Sequence, residues 1–207
     1  MQAQPTKSQT ITERNLLLVE GRDEEMFFKA MVRNLKLQSL QIMPLQGKSA
    51  LPYKIKAVKL LPGFDSIVSV GITRDADENP DTAFESVCGA LRSAGLGVPE
   101  KPCEAAGTNP TVRVFILPSN ERPGMLEDLC LEAIADDPAM TCVESFFRCL
   151  KDTGIPLPGN MSKARIQTFL ASREKPGLRL GEAAADYIPC NAAAFARLAD
   201  FLRQVIA

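Results

Sequence analysis

The sequence predicts an α/β fold: a central, mostly parallel four-stranded sheet with helices on both faces, and a helical C-terminal part. Three observations carry this. Four short runs are continuously apolar or β-branched, as strands buried on both faces are. Stretches of helical periodicity separate them. The two kinds alternate as β-α-β-α-β-α-β, the order that builds a parallel sheet covered by helices.

Asn15-Leu-Leu-Leu-Val-Glu20 is the first run and ends in an acid. Arg22 to Asn34 follows, with Phe27, Ala30, Met31 and Asn34 at helical spacing. Leu40 to Leu45 is the second apolar run, and Gln46-Gly47 turns the chain. Ser49 to Leu60 reads as a weak helix with Pro52 in its first turn. Ser66 to Thr73 is rich in β-branched residues and runs directly into Arg74-Asp75-Ala76-Asp77. Asn79-Pro80 is a cap-and-first-position pair, and Phe84, Val87, Cys88 and Leu91 form the stripe of the helix it opens. Thr111 to Leu117 is the fourth strand.

Beyond it the pattern is helical. A helix from about Met125 carries Leu126, Leu129, Cys130 and Ala133. Asp137-Pro138 repeats the capping signal before Val143, Phe146, Phe147 and Leu150. Ser162 is expected to cap a short helix through Ala171, and a last helix is expected over about Ala192 to Val205. The expected organisation is a flexible N-terminus at 1–12, an α/β core at 13–136 and a helical extension at 137–207 packed on that core.

Composition narrows the chemistry. The chain has 207 residues, of which 45% are hydrophobic and 24% charged, as in ordinary globular proteins. No run is long and apolar enough to span a membrane and the first dozen residues lack a signal peptide's apolar core, so the expected compartment is cytoplasmic. The net charge is −1, so a nucleic-acid partner has to be held by a local patch or through metal. There is no histidine, which removes Ser-His-Asp and Cys-His catalysis. The 6 cysteines form no CxxC pair, and a zinc site of the Cys/His type is not expected. Cys88, Cys130 and Cys142 read as small core residues.

The acids at the strand ends are the chemical signal. Ligands of open α/β sheets collect beyond the carboxyl ends of the strands. Glu20 ends the first strand; Asp75 and Asp77 end the third. In extended backbone residues i and i+2 point alike, so Asp75 and Asp77 are expected to face one point. Clustered carboxylates repel one another unless a cation lies between them, and an oxygen-only set favours Mg²⁺, Mn²⁺ or Ca²⁺ over zinc, with Mg²⁺ or Mn²⁺ the expected cofactor. Each element also has a plainer reading: a loop glutamate, or a D-x-D turn and cap.

Leu17-Leu-Val-Glu-Gly21 with Asp23, and Val70-Gly-Ile-Thr-Arg-Asp-Ala-Asp77, resemble the two motifs of the TOPRIM domain. Topoisomerases, bacterial primases, recombination mediators and OLD-type nucleases share that fold. Pro118-Ser-Asn and Pro123-Gly-Met-Leu-Glu-Asp128 resemble a small stand-alone branch akin to the OLD-type nucleases. With them, the likeness covers most of the chain from about residue 14.

The resemblance implies roles residue by residue. Glu20 would be a metal ligand or general acid/base, and Asp75 and Asp77 would hold a divalent ion. Glu127 and Asp128 would serve a second ion, or simply complement a helix dipole. Lys163 would stabilise charge on a phosphate. Arg22, Arg74, Arg122 and Arg165 would line the rim toward nucleic acid, and Lys48, which follows the second strand, could point there too, although each alone also fits a surface charge. Gln46-Gly47-Lys48-Ser49 ends like a phosphate-binding P-loop, but Ile42 stands where that motif needs glycine.

The expected function is divalent-metal-dependent phosphodiester hydrolysis of nucleic acid, DNA first. A partner ATPase would supply targeting in defence or DNA repair, and a homo-oligomer is allowed. The alternative is a non-catalytic metal- or nucleic-acid-binding module, or an assembly protein.

Overall fold

Four strands form one sheet: β1 (Asn15–Val19), β2 (Leu40–Pro44), β3 (Ser69–Asp75) and β4 (Thr111–Leu117), in the order β2-β1-β3-β4 with every neighbour parallel. The computed structural model of the chain describes residues 10–47 and 50–206. Most of the N-terminal stretch expected to be flexible, and Lys48 with it, lies outside the described residues.

All five residues of β1 are buried, as its run of four apolar residues, Leu16 to Val19, favours. Leu17 and Val19 face one core and Leu16 and Leu18 the other. The second core is closed by α2 (Leu51–Lys59) and α3 (Pro80–Ala94), whose Phe84, Val87, Cys88 and Leu91 are all buried. The first is closed by α1 (Arg22–Asn34), α4 (Leu126–Ala133), α5 (Pro138–Asp152), α6 (Met161–Ala171), α7 (Leu180–Ala183) and α8 (Ala196–Ile206). Phe27 of α1 packs on Phe195 at 5.6 Å, and Phe115 of β4 on Phe201 of α8 at 5.4 Å. The C-terminal helices thus share one apolar core with the sheet.

Several expectations shift. β3 begins at Ser69 rather than Ser66, because Phe64–Ser66 close a 3-10 turn ahead of it. The cap of α6 is Asn160, whose Oδ1 accepts the Lys163 N–H at 2.9 Å; Ser162 lies inside the helix and is free for another partner. The last helix is preceded by a 3-10 turn, Ala193–Phe195. On α5 the buried face is narrower than its pattern, with only Val143 and Phe147 buried. Phe146 and Cys142 are exposed, so Cys142 is not a core residue. Among the described residues no helix is long and apolar enough to cross a membrane.

The short α7 reaches α1 because Gly181 has no side chain. A Cβ there would lie 2.4 Å from the Asp23 carbonyl oxygen and 2.8 Å from the Met26 Cβ. Backbone cannot yield that distance cheaply. Gly181→Ala is expected to lower unfolding stability by about 1–3 kcal/mol, read as an earlier urea midpoint at unchanged slope.

Candidate metal centre

The chain leaves β1 toward β2 on one side and arrives at β3 on the other. The gap between β1 and β3 is therefore the point where the strand order reverses, and α/β sheets bind ligands there. Leu18 pairs with Ile72, so the ends of both strands open on one rim. Glu20 follows β1 and Asp75 closes β3.

One carboxylate oxygen each from Glu20, Glu24 and Asp75 lie within 4.8 Å of one another. Glu24 comes from the first turn of α1 and was not anticipated. Gly21 makes room for it: a Cβ on Gly21 would sit 2.9 Å from Glu24 Oε2. Gly21 is extended, so a side chain there would be excluded by crowding rather than by backbone strain.

Asp75 is only 6% exposed, and its Oδ1 accepts the Leu126 N–H at 3.1 Å. That N–H belongs to the first turn of α4, whose positive end favours an anion. The help is not enough. Burial, and then the charges of Glu20, Glu127 and Glu24, push Asp75 from its ordinary 3.8 to about 8.

Glu127 stands next in the rim. Burial raises its carboxyl above the usual range, while Lys163, with Nζ at 3.9 Å, draws it down. Asp128 is engaged elsewhere. Its Oδ2 accepts the Met125 N–H at 2.8 Å and its Oδ1 accepts the Ser162 hydroxyl at 2.5 Å, tying α4 to α6.

Asp77 is not in the three-acid cluster. The extended run stops before it: its φ is 52°, a left-handed value that aspartate tolerates better than most residues. Its N–H donates to the Gly124 carbonyl at 2.9 Å and its carbonyl accepts the Gly124 N–H at 2.8 Å. That bridge pins the end of β3 to the loop before α4.

The arginines take separate positions. Arg22 is exposed and pairs with Glu25 at 3.0 Å. Arg74 is turned by strand alternation to the opposite face from Asp75, where it donates to Ser86 Oγ at 2.9 Å. Arg165 makes two hydrogen bonds to Glu144, between α5 and α6.

An α/β chain with carboxylates at the strand-reversal point is thus the class that fold and site define. The fold matches the C-terminal region of the OLD protein of Xanthomonas campestris pv. campestris, with a TM-score of 0.51 and 15% identity over 94% of this chain and 96% of that one. The chain belongs to the family described as "Protein of unknown function (DUF3226)", matched over residues 14–207. No curated protein sequence matches it significantly.

Two outcomes test the geometry. Without metal, the folded chain holds a proton on Asp75 between pH about 4 and about 8 that the unfolded chain has released. Stability due to Asp75 therefore falls as pH rises through that window, by up to about 1.4 kcal/mol per pH unit. Asp75→Asn should flatten that part of a stability–pH curve; a wild-type slope in the variant would contradict the site's electrostatics. Gly21→Ala should displace Glu24 and weaken Mn²⁺ binding, measured by calorimetry, by at least about tenfold while the fold is kept.

Proposed function

We propose that the chain is a TOPRIM-type, divalent-metal-dependent nuclease that hydrolyses phosphodiester bonds. The observation that supports this most is the Glu20–Glu24–Asp75 cluster, with Asp75 pushed to about 8 at the point of strand reversal. Such a site fits a hard cation. Its donors are oxygen only, which suits Mg²⁺ or Mn²⁺, and a positive charge would offset the burial and the repulsion that keep Asp75 protonated. When bound, the ion would polarise a phosphoryl oxygen.

The remaining work falls to the chain's own side chains. Glu20, Glu24 and Asp75 hold the ion. Glu127, whose carboxyl burial raises from its ordinary value, stands beside the cluster as the carboxylate to take a proton. Lys163 brings positive charge beside Glu127 for a phosphate. Asp77 and Asp128 serve the frame, through the Gly124 bridge and the tie to Ser162. With both Asp128 oxygens engaged, this reading gives the site one principal ion.

Of linear duplex DNA, circular duplex DNA, single-stranded DNA and RNA, at least one should be cleaved in Mg²⁺ or Mn²⁺ by the wild type and only at background by Asp75→Asn and Glu24→Gln. Equal cleavage by all three proteins would sink the reading. Metal binding without cleavage of any substrate would instead make the chain a non-catalytic binding module.

A further inference from the structure

We propose that the cleft between α6, α7 and the start of α1 is a subsite for one unpaired nucleotide, so that single strands or frayed ends are the substrate class. This rests on the nuclease reading. The cleft encloses about 470 Å³, inside the roughly 300–1,000 Å³ typical of small-ligand sites. Its inner end adjoins the acidic cluster. Asp23 lines it one residue before Glu24, and Glu127, whose charge acts on Asp75, lines it too.

The lining has the chemistry of a base and its flanking phosphates. Ile166 and Leu170 are buried and form an apolar floor. Lys163, Gln167 and Arg179 are exposed at the mouth. A nucleobase is apolar on its faces and polar on its edges. Its face fits the floor, and the Gln167 amide offers both a donor and an acceptor to its edge. The two cations suit the phosphates on either side. Asp23 Oδ1 is buried and has no hydrogen-bond partner among the described residues. A sugar hydroxyl or an exocyclic amine would supply its missing donor.

A duplex fits this cleft poorly. Its bases are stacked and their pairing edges are occupied, so one would have to be extruded before it could enter. The acidic inner end also repels a backbone that arrives without a cation, which leaves the mouth as the place for phosphate.

The test is a titration of a fluorescent hexanucleotide into the full chain, as DNA and as RNA, single-stranded and in a blunt duplex, without metal. Wild type is set beside Gln167→Ala and Ala171→Trp. Ala171 is exposed on the cleft wall at the end of α6, and the chain has no other tryptophan, so the new side chain both narrows the cleft and reports its occupancy. Single strands should bind about tenfold more tightly than duplex, and each variant should lose about tenfold. Melting temperature and Mn²⁺ affinity should not change. Equal affinity for both forms, or wild-type binding by both variants, overturns the subsite. Single-strand binding that the variants weaken, with no cleavage in any metal, keeps the subsite and removes the nuclease. Cleavage of single strands that both variants leave intact keeps the nuclease and removes the subsite.

Discussion

The crowding of a buried carboxylate, Asp75, by two half-buried ones, Glu20 and Glu24, is the constraint around which the strand-reversal rim is arranged. Parallel pairing brings the ends of β1 and β3 together, and each carries an acid. Burial then strips water from Asp75, and like charges within a few ångströms of a poorly hydrated carboxylate add to that cost. Asp75 meets that cost by keeping its proton to about pH 8. A cation in the cluster would meet it differently, by making three negative charges favourable at once.

The surroundings hold the acids in place against that repulsion. The Leu126 N–H fixes Asp75 Oδ1, and the two hydrogen bonds between Asp77 and Gly124 fix the backbone just beyond it. Asp128 joins α4 to α6 through Ser162, which sets Lys163 beside Glu127. Packing does the same work on a larger scale. Phe27 binds α1 to the C-terminal segment through Phe195, and Gly181 lets α7 close on the α1 turn that carries Asp23 and Glu24. The C-terminal helices are therefore part of the site's support, and they also form the wall of the cleft beside it.

Charge in this chain is used locally. With a net charge of −1, and with Arg22, Arg165 and Arg173 paired to acids, bulk charge gives the chain little general attraction for nucleic acid. In the proposed reading, affinity comes from the ion, from Lys163 and Arg179 at one mouth, and from apolar contact with a base. Such an arrangement selects for a strand that can be opened, since phosphate attraction alone is weak.

The sequence by itself determined the strand and helix order and two of the three clustered acids. The apolar run Leu16–Val19 marked β1 because a strand buried on both faces favours apolar residues at successive positions; its one polar residue, Asn15, is buried with its amide donating to the Ser39 carbonyl. Asn79-Pro80 and Asp137-Pro138 marked helix starts because capping is local chemistry between neighbouring residues. Tertiary structure decided the third acid. Asp23, Glu24 and Glu25 all lie in the first turn of α1, about 100° apart around the axis. Only the packing of that helix turns Asp23 to the cleft, Glu24 over Gly21 to the sheet, and Glu25 to Arg22 and Lys29. Asp77 left the cluster for a related reason. Alternation along a strand is legible in a sequence, but the point where pairing to Gly124 bends the chain out of it is not. The same holds for Asp128, a ligand only by resemblance in the sequence, whose oxygens accept from a backbone amide and from a serine 34 residues away.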